Sequence, residues 1–306
     1  MGQTTTKSIP ILKSLTSVKT IKSPHFSSFE TILPLHDTRL ASSTENTILI
    51  YNPTSNYSLD LTIECPFIIT SLAQLPNSHL VACGKEKSIK IYSLTDTTST
   101  CEFTIDSAHT DEISKVILLP SRFATSSKDG SIKIWTSTTP YNPTPLKEIM
   151  VHKNVGLNSI LYMQEKDLLI AGDIDTLRLY NATTYEKIAV INDVLCQGSS
   201  TLIQIDERRV LTGGAASIDV VDVEKKTKES AIDIEVGWIS CFMLLRDNNT
   251  VLCGCDKGMV VVYEVDTRKT RLVQWKDKGE TTVSNVIKID ESMFITCEYE
   301  AIVWNY

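Results

Sequence analysis

Histidine and cysteine are the residues most able to ligate metal or act as nucleophile or base, so their spacing is the first thing to read. The chain has five histidines, at 25, 36, 79, 109 and 152, and eight cysteines, at 65, 83, 101, 196, 241, 253, 255 and 297. No two cysteines form a Cys-x-x-Cys pair, and no second His or Cys stands at ligand spacing from His109, so no metal site is expected. The phosphate-loop pattern G-x-x-x-x-G-K-[ST], the nucleophile elbow G-x-S-x-G and the zinc helix H-E-x-x-H are all absent. These absences predict a protein that is not an enzyme, has no cofactor and acts through surface recognition. The eight cysteines read as reduced, small core residues.

One short motif does carry chemistry. Gly2-Gln3-Thr4-Thr5-Thr6-Lys7 fits the N-myristoylation pattern, with glycine exposed once Met1 is removed and a hydroxyl at position six. The alternative is a plain polar leader. A single myristoyl chain binds membranes only marginally, and Lys7, Lys13, Lys19 and Lys22 add a weak basic signal.

With 306 residues, 30 Lys and Arg against 37 Asp and Glu, and 42% hydrophobic side chains, the composition is that of an ordinary globular chain with formal charge −7. An acidic balance without a basic cluster argues against nucleic acid as a partner. The longest apolar runs, such as 241–245 and 259–263, are far below the ~18–20 residues that span a bilayer, and the N-terminus lacks the apolar stretch of a secretory signal. A cytoplasmic protein is expected, associated with a membrane only if Gly2 is acylated.

The elements that position these residues emerge from a repeat. Ile132 and Ile134 share one face of Ser131-Ile132-Lys133-Ile134-Trp135, and the same pattern closes at Tyr51, Tyr92, Trp135, Tyr180, Val221, Tyr263 and Trp304, at intervals of 41 to 45 residues. A second register about twenty residues upstream begins apolar strands at Glu30, Thr70, Ser114, Asn158, Ser200, Ser240 and Ser284. A third, eight to ten residues before the closing position, holds Ser42, Ala82, Thr125, Ile170, Thr212, Cys253 and Thr296. Period-two alternation without helical periodicity makes every unit four strands, and seven such units predict an all-β, seven-bladed β-propeller of four-stranded antiparallel blades. The seventh unit ends at Tyr306 without an outer strand, so a strand near residues 15–22 is expected to supply it and close the ring. The organisation is then a leader over 1–14 and one propeller over 15–306.

The third unit, Ala108-His109 followed by Thr125-Ser126-Ser127-Lys128-Asp129-Gly130-Ser131-Ile132-Lys133-Ile134-Trp135, resembles the WD-repeat family. The resemblance implies a structural hydrogen-bonded tetrad of His109, Thr125, Asp129 and Trp135. Buried indole N–H and imidazole groups need partners, which is the physical reason for such a set. Asp129-Gly130 is expected to form a two-residue hairpin turn. The other units depart from the pattern: tyrosine replaces tryptophan at 51, 92, 180 and 263, and the fifth unit closes on Val221 without an aromatic.

The strand-starting ring is small and polar, as crowded positions around a central channel require, and Glu30 is its one charge. Either these crowded, wet positions simply take polar residues, or Glu30 marks a mouth that receives a basic or N–H-rich peptide. Glu235-Val236-Gly237-Trp238 reads as an exposed interblade loop, with Trp238 either a partner-binding anchor or a cap on the blade interface. Arg208-Arg209 and Lys225-Lys226-Thr227-Lys228 read as solvated turns. The family resemblance implies a non-catalytic scaffold binding proteins or peptides; the alternative is a substrate-recognition subunit of a protein-modifying complex such as a ubiquitin ligase.

Overall fold

The structure, a computed structural model, describes residues 16–22, 29–198, 201–245, 247–256, 258–274, 282–289, 292–297 and 300–305. The leader expected over 1–14, Gly2 included, lies outside the described residues. Four blades are separate four-stranded antiparallel sheets. Blade one comprises Thr31–Pro34, Leu40–Thr44, Thr47–Asn52 and Ser58–Glu64; blade two Ile69–Gln74, Leu80–Gly84, Ile89–Leu94 and Ser99–Ile105. Blade three comprises Ile113–Leu119, Arg122–Ser127, Ser131–Thr136 and Lys147–Met150; blade four Ser159–Met163, Leu168–Gly172, Thr176–Asn181 and Lys187–Asn192.

Blades five and six merge into one sheet of six continuous elements, Leu202–Gln204, Arg209–Asp222, Thr227–Leu244, Thr250–Cys255, Met259–Glu264 and Lys269–Gln274. Arg209–Asp222 folds back on itself: Val223 N–H donates to Arg208 C=O at 3.0 Å, as Ala182 does to Asp167 and Val265 to Asn249 across the equivalent hairpins of blades four and six. Thr227–Leu244 serves both blades, pairing over 227–233 with 217–222 and over 239–244 with 251–255. Trp238 therefore stands within a continuous strand opposite Ala215, which corrects its expected place in a loop. A Cβ at Gly237 would stand 2.2 Å from Asp256 Oδ2, so glycine admits that carboxylate beside the strand.

The seventh blade is Asn285–Lys288, Met293–Cys297 and Glu300–Asn305, and its outer strand is Thr16–Lys22, antiparallel to Glu300–Asn305 from Thr16 opposite Asn305 to Lys22 opposite Glu300. A bulge between Ser17 and Lys19 turns Val18 outward, while Ile21 is buried between blades seven and one. The innermost strand of each blade contacts that of the next, and Asn285–Lys288 returns to Thr31–Pro34, so the seven blades form a closed ring.

The core is divided accordingly. Seven apolar clusters fill the seven interfaces between neighbouring blades, because alternate side chains of a strand leave opposite faces of its sheet. Ile132 and Ile134 pack toward blade four, whereas Trp135 packs toward blade two. Blade four corrects the third register by one residue. Tyr180 lies opposite Leu169, so Ala171 takes the position of Thr125, and Ile170 faces blade five instead. Cys101 is a second correction: it is exposed on the outer strand of blade two, while the other seven cysteines are buried.

Candidate functional site

The turn that positions Asp129 has three residues, Lys128-Asp129-Gly130, between Ser127 and Ser131, rather than two. Gly130 N–H donates to Ser127 C=O at 3.1 Å, and Gly130 adopts φ +82°, the left-handed residue that completes such a loop. A Cβ at Gly130 would stand 1.7 Å from the His152 carbonyl oxygen, so glycine also admits the following interblade loop.

Above this turn the structure brings His109, Thr125, Asp129 and Trp135 together. Trp135 Nε1–H donates to Thr125 Oγ1 at 2.9 Å, and Thr125 Oγ1 lies 2.8 Å from His109 Nε2. His109 Nδ1 lies 3.0 Å from Asp129 Oδ2. Because the indole can only donate, the Thr125 hydroxyl proton is free for Nε2, and Nδ1–H is left for the carboxylate. Asp129 also accepts from Thr110 N–H at 2.9 Å and from the Ser131 hydroxyl at 2.6 Å. Burial opposes ionisation of Asp129, but the hydrogen bonds from His109, Ser131 and Thr110 outweigh it and hold the carboxyl well below the usual carboxylate range. His109, Thr125 and Trp135 are buried, so this chain of bonds is a structural tie, closed to substrate.

The ring of strand-starting residues has a more specific role than its size and polarity suggest. Thr70 Oγ1 donates to Ile113 C=O at 2.5 Å, Asn158 Nδ2 to Cys196 C=O at 2.7 Å, and Ser284 Oγ to Phe29 C=O at 2.6 Å. Ser240 Oγ donates to Val283 C=O. Ile113, Val283 and Phe29 each immediately precede the ring residue of the next blade, so the hydroxyls stitch neighbouring blades together, across the seven-to-one junction included. Ser114 bonds within its own blade, to Ser126, and Ser200 lies outside the described residues.

Strand polarity puts these residues, the interblade loops and the Asp129-type turns on one face. There a cavity of about 220 Å³ opens between Thr70 and Ser114 on the strands and Glu112, Lys128, Asn158 and Gln197 on the turns and loops. Lys128 Nζ donates to Asn158 Oδ1. Glu30 immediately precedes the innermost strand of blade one and is not among the residues lining this cavity; it is exposed, with its amide bonded to Ser43 and its carbonyl accepting from Asn285 Nδ2 at 3.3 Å. Lys128 and Glu112 are the charged side chains that line the cavity. Trp238 is 53% exposed on this face, and its strand partner Ala215 donates its N–H to Gln197 Oε1 at 2.9 Å, which links it to the cavity wall.

Residues 99–136 match the family pattern described as WD domain, G-beta repeat. That stretch is a WD repeat, and the match supports membership of the WD-repeat family. No curated protein matches it. The matched WD repeat starts at the outer strand of blade two and ends at the third strand of blade three, so each sequence unit spans two blades and interlocks them.

The other repeats keep the register of the tetrad and change its chemistry. In blade seven Trp304 Nε1–H donates to Thr296 Oγ1 at 2.9 Å, half of the arrangement seen in blade three. In blade one Ser42 and Tyr51 occupy the equivalent positions, but neither hydroxyl has a hydrogen-bond partner among the described residues. Burial pushes the Tyr51 phenol up to about 12. Blade five, which lacks the aromatic, is tied by charge. Buried Asp219 accepts from Leu195 N–H at 2.8 Å and pairs with Lys228 at 3.0 Å. Buried Asp222 pairs with Arg208 at 2.9 Å and Lys225 at 3.6 Å, and Arg209 pairs with Asp206 at 2.6 Å. Arg208, Arg209, Lys225 and Lys228 are therefore engaged in ion pairs, not merely solvated. Arg268 of blade six reaches Glu229 of blade five at 3.1 Å and extends this network across the interface. Sequence reading missed these ties because each partner is distant or lies across a hairpin, and acid–base pairing has no fixed spacing in a sheet.

Among the described residues no three His, Cys, Asp or Glu side chains come together to hold a metal ion, and no helix is long and apolar enough to cross a membrane. WD-repeat proteins generally serve as scaffolds for protein–protein interaction.

Proposed function

We propose that this WD-repeat propeller is a non-catalytic scaffold that docks protein partners on the face carrying the cavity, with Trp238 as apolar anchor and Glu30 on the polar rim. The observation that carries this reading is the exposed indole beside a polar cavity. A tryptophan half open to water gives little to the fold and much to a partner that covers it. Glu30, Glu112, Lys128 and Asn158 offer both acceptors and a cation, which suits a peptide segment that places one apolar side chain on Trp238 and its backbone or a basic group over the cavity. The test compares the partners recovered with the intact chain from its own cells against those recovered with Trp238→Ala and Glu30→Gln. Loss of the same partners from Trp238→Ala, with weakened recovery by Glu30→Gln, supports the reading; full recovery by both variants overturns it.

A lipid on Gly2 is the second part of the proposal, with the propeller held on the cytoplasmic side of a membrane. The closing strand begins at Thr16, opposite Asn305, at the end of blade seven remote from the docking face. A tether there would leave that face open to the cytoplasm. Mass spectrometry of the mature N-terminus tests it: a myristoyl adduct on Gly2 is expected, and a free or acetylated Gly2 ends the proposal.

A further inference from the structure

On the face opposite the cavity, the connection between the third and outer strands of a blade takes four or five residues in blades one, two, four, five and six, as at 53–57 and 95–98. Blade three takes ten, 137–146, reading Ser-Thr-Thr-Pro-Tyr-Asn-Pro-Thr-Pro-Leu. The extra length is not needed to close the hairpin, and its two halves are treated differently. Tyr141 is anchored to blade two: its ring lies 5.7 Å from that of Phe103 and 5.9 Å from that of His79, and its hydroxyl meets Asn77 Nδ2 at 2.9 Å and His79 Nδ1 at 2.8 Å. Beyond the anchor, Asn142, Pro143, Thr144, Leu146 and Lys147 are exposed, and Leu146 has joined the edge of the blade through its N–H to Ile134 C=O at 2.7 Å. The segment is thus a short exposed peptide held at both ends, bending at Pro143, Thr144 and Leu146 before the outer strand begins at Lys147.

The chain has three hydroxyl-proline steps, Ser23-Pro24, Thr139-Pro140 and Thr144-Pro145. Only at Thr144 is the third residue onward basic, Lys147; at Ser23 it is Phe26 and at Thr139 it is Asn142. We propose that Thr144 is a phosphorylation site for a protein kinase that requires proline next to the acceptor and a basic residue three positions on. The γ-phosphoryl group of Mg-bound ATP moves to Thr144 Oγ1. The bond from the γ-phosphorus to the β,γ-bridging oxygen breaks, a P–O bond to Oγ1 forms, ADP leaves, and the hydroxyl proton passes to the base of the kinase. The product adds about two negative charges at neutral pH, and three acceptor oxygens, to the face turned away from the cavity. It creates an epitope that can be switched without touching the mouth. This inference does not depend on the docking role of Trp238.

The test uses the folded full-length chain, a purified kinase of that specificity and Mg-bound ATP, with the phosphate located by tandem mass spectrometry. One phosphate on Thr144 is expected, absent from Thr144→Ala and Pro145→Ala. Lys147→Ala should lower kcat/KM at least tenfold while melting at the temperature of the parent chain. Failure of the folded chain to accept phosphate, acceptance only after heat unfolding, preference for Thr139 or Ser23, or undiminished phosphorylation of Lys147→Ala would each overturn the proposal.

Discussion

Thr125→Val removes one hydroxyl and keeps the shape, and the geometry says what that must do. The hydroxyl accepts from Trp135 Nε1–H and faces His109 Nε2, and all three residues are buried, so the substitution orphans two polar groups that water cannot reach. Each such group costs about 1–3 kcal/mol, which puts the loss near 4 kcal/mol. Unfolding entropy of about 2.1 cal/mol/K per residue sums to about 0.64 kcal/mol/K here, so the melting temperature should fall by about 6 °C. Blade seven provides the control. Among the described residues Thr296 Oγ1 accepts from Trp304 alone, and Trp304 is partly open to water, so Thr296→Val should cost about 1 kcal/mol, or about 1.5 °C. Scanning calorimetry of both variants decides the matter. Thr125→Val melting within 2 °C of the parent, or no lower than Thr296→Val, would refute the claim that the tetrad ties blade three to its turn.

Other consequences can be measured in the same way. Because Asp129 is held below the usual carboxylate range in the fold, its stabilisation is fully present above the unfolded value near 4 and is lost as pH falls through the folded value. The difference in melting temperature between the parent and Asp129→Asn should therefore be constant from about pH 7 to 5 and shrink below about pH 4; a difference that persists unchanged to pH 2 would show that the carboxylate charge is not what holds the tetrad. Gly130→Ala should be more damaging than the ~1 kcal/mol of a left-handed alanine, since its Cβ would collide with the His152 carbonyl, and calorimetry reads the excess. Ser284→Ala removes the hydroxyl stitch between blades seven and one and should cost about 1 kcal/mol, measured by denaturant unfolding.

What could be read from the chain follows from the range of the forces involved. Strand alternation and closing aromatics are local, so their recurrence fixes the units and their number before any contact is known. The tetrad lies within one repeat and betrays itself by spacing. The interblade stitches do not: Thr70 and Ile113 belong to different repeats, and nothing in either residue announces the other. The strand through Trp238 was obscured because an interblade connection ordinarily turns, and only the paired backbone of blades five and six reveals that this one runs straight. In blade four the spacing allowed a slip of one residue, and it is packing that distinguishes Ile170 from Ala171. Asp219 and Asp222 resemble surface carboxylates in composition; the structure buries them against Leu195 N–H, Lys228, Arg208 and Lys225, partners that no spacing announces.

The account rests on a ring closed by a strand from the opposite end of the chain. Deleting residues 1–24 removes the partner of Glu300–Asn305 and uncovers Ile21's pocket between blades seven and one, leaving an unpaired edge where the ring meets. Loss of the buried side chain alone is worth about 2–5 kcal/mol, and the lost ladder adds to it. Scanning calorimetry of the truncated chain should show unfolding at a temperature lower by about 5–10 °C or more. Unfolding at the temperature of the full chain would contradict the closure.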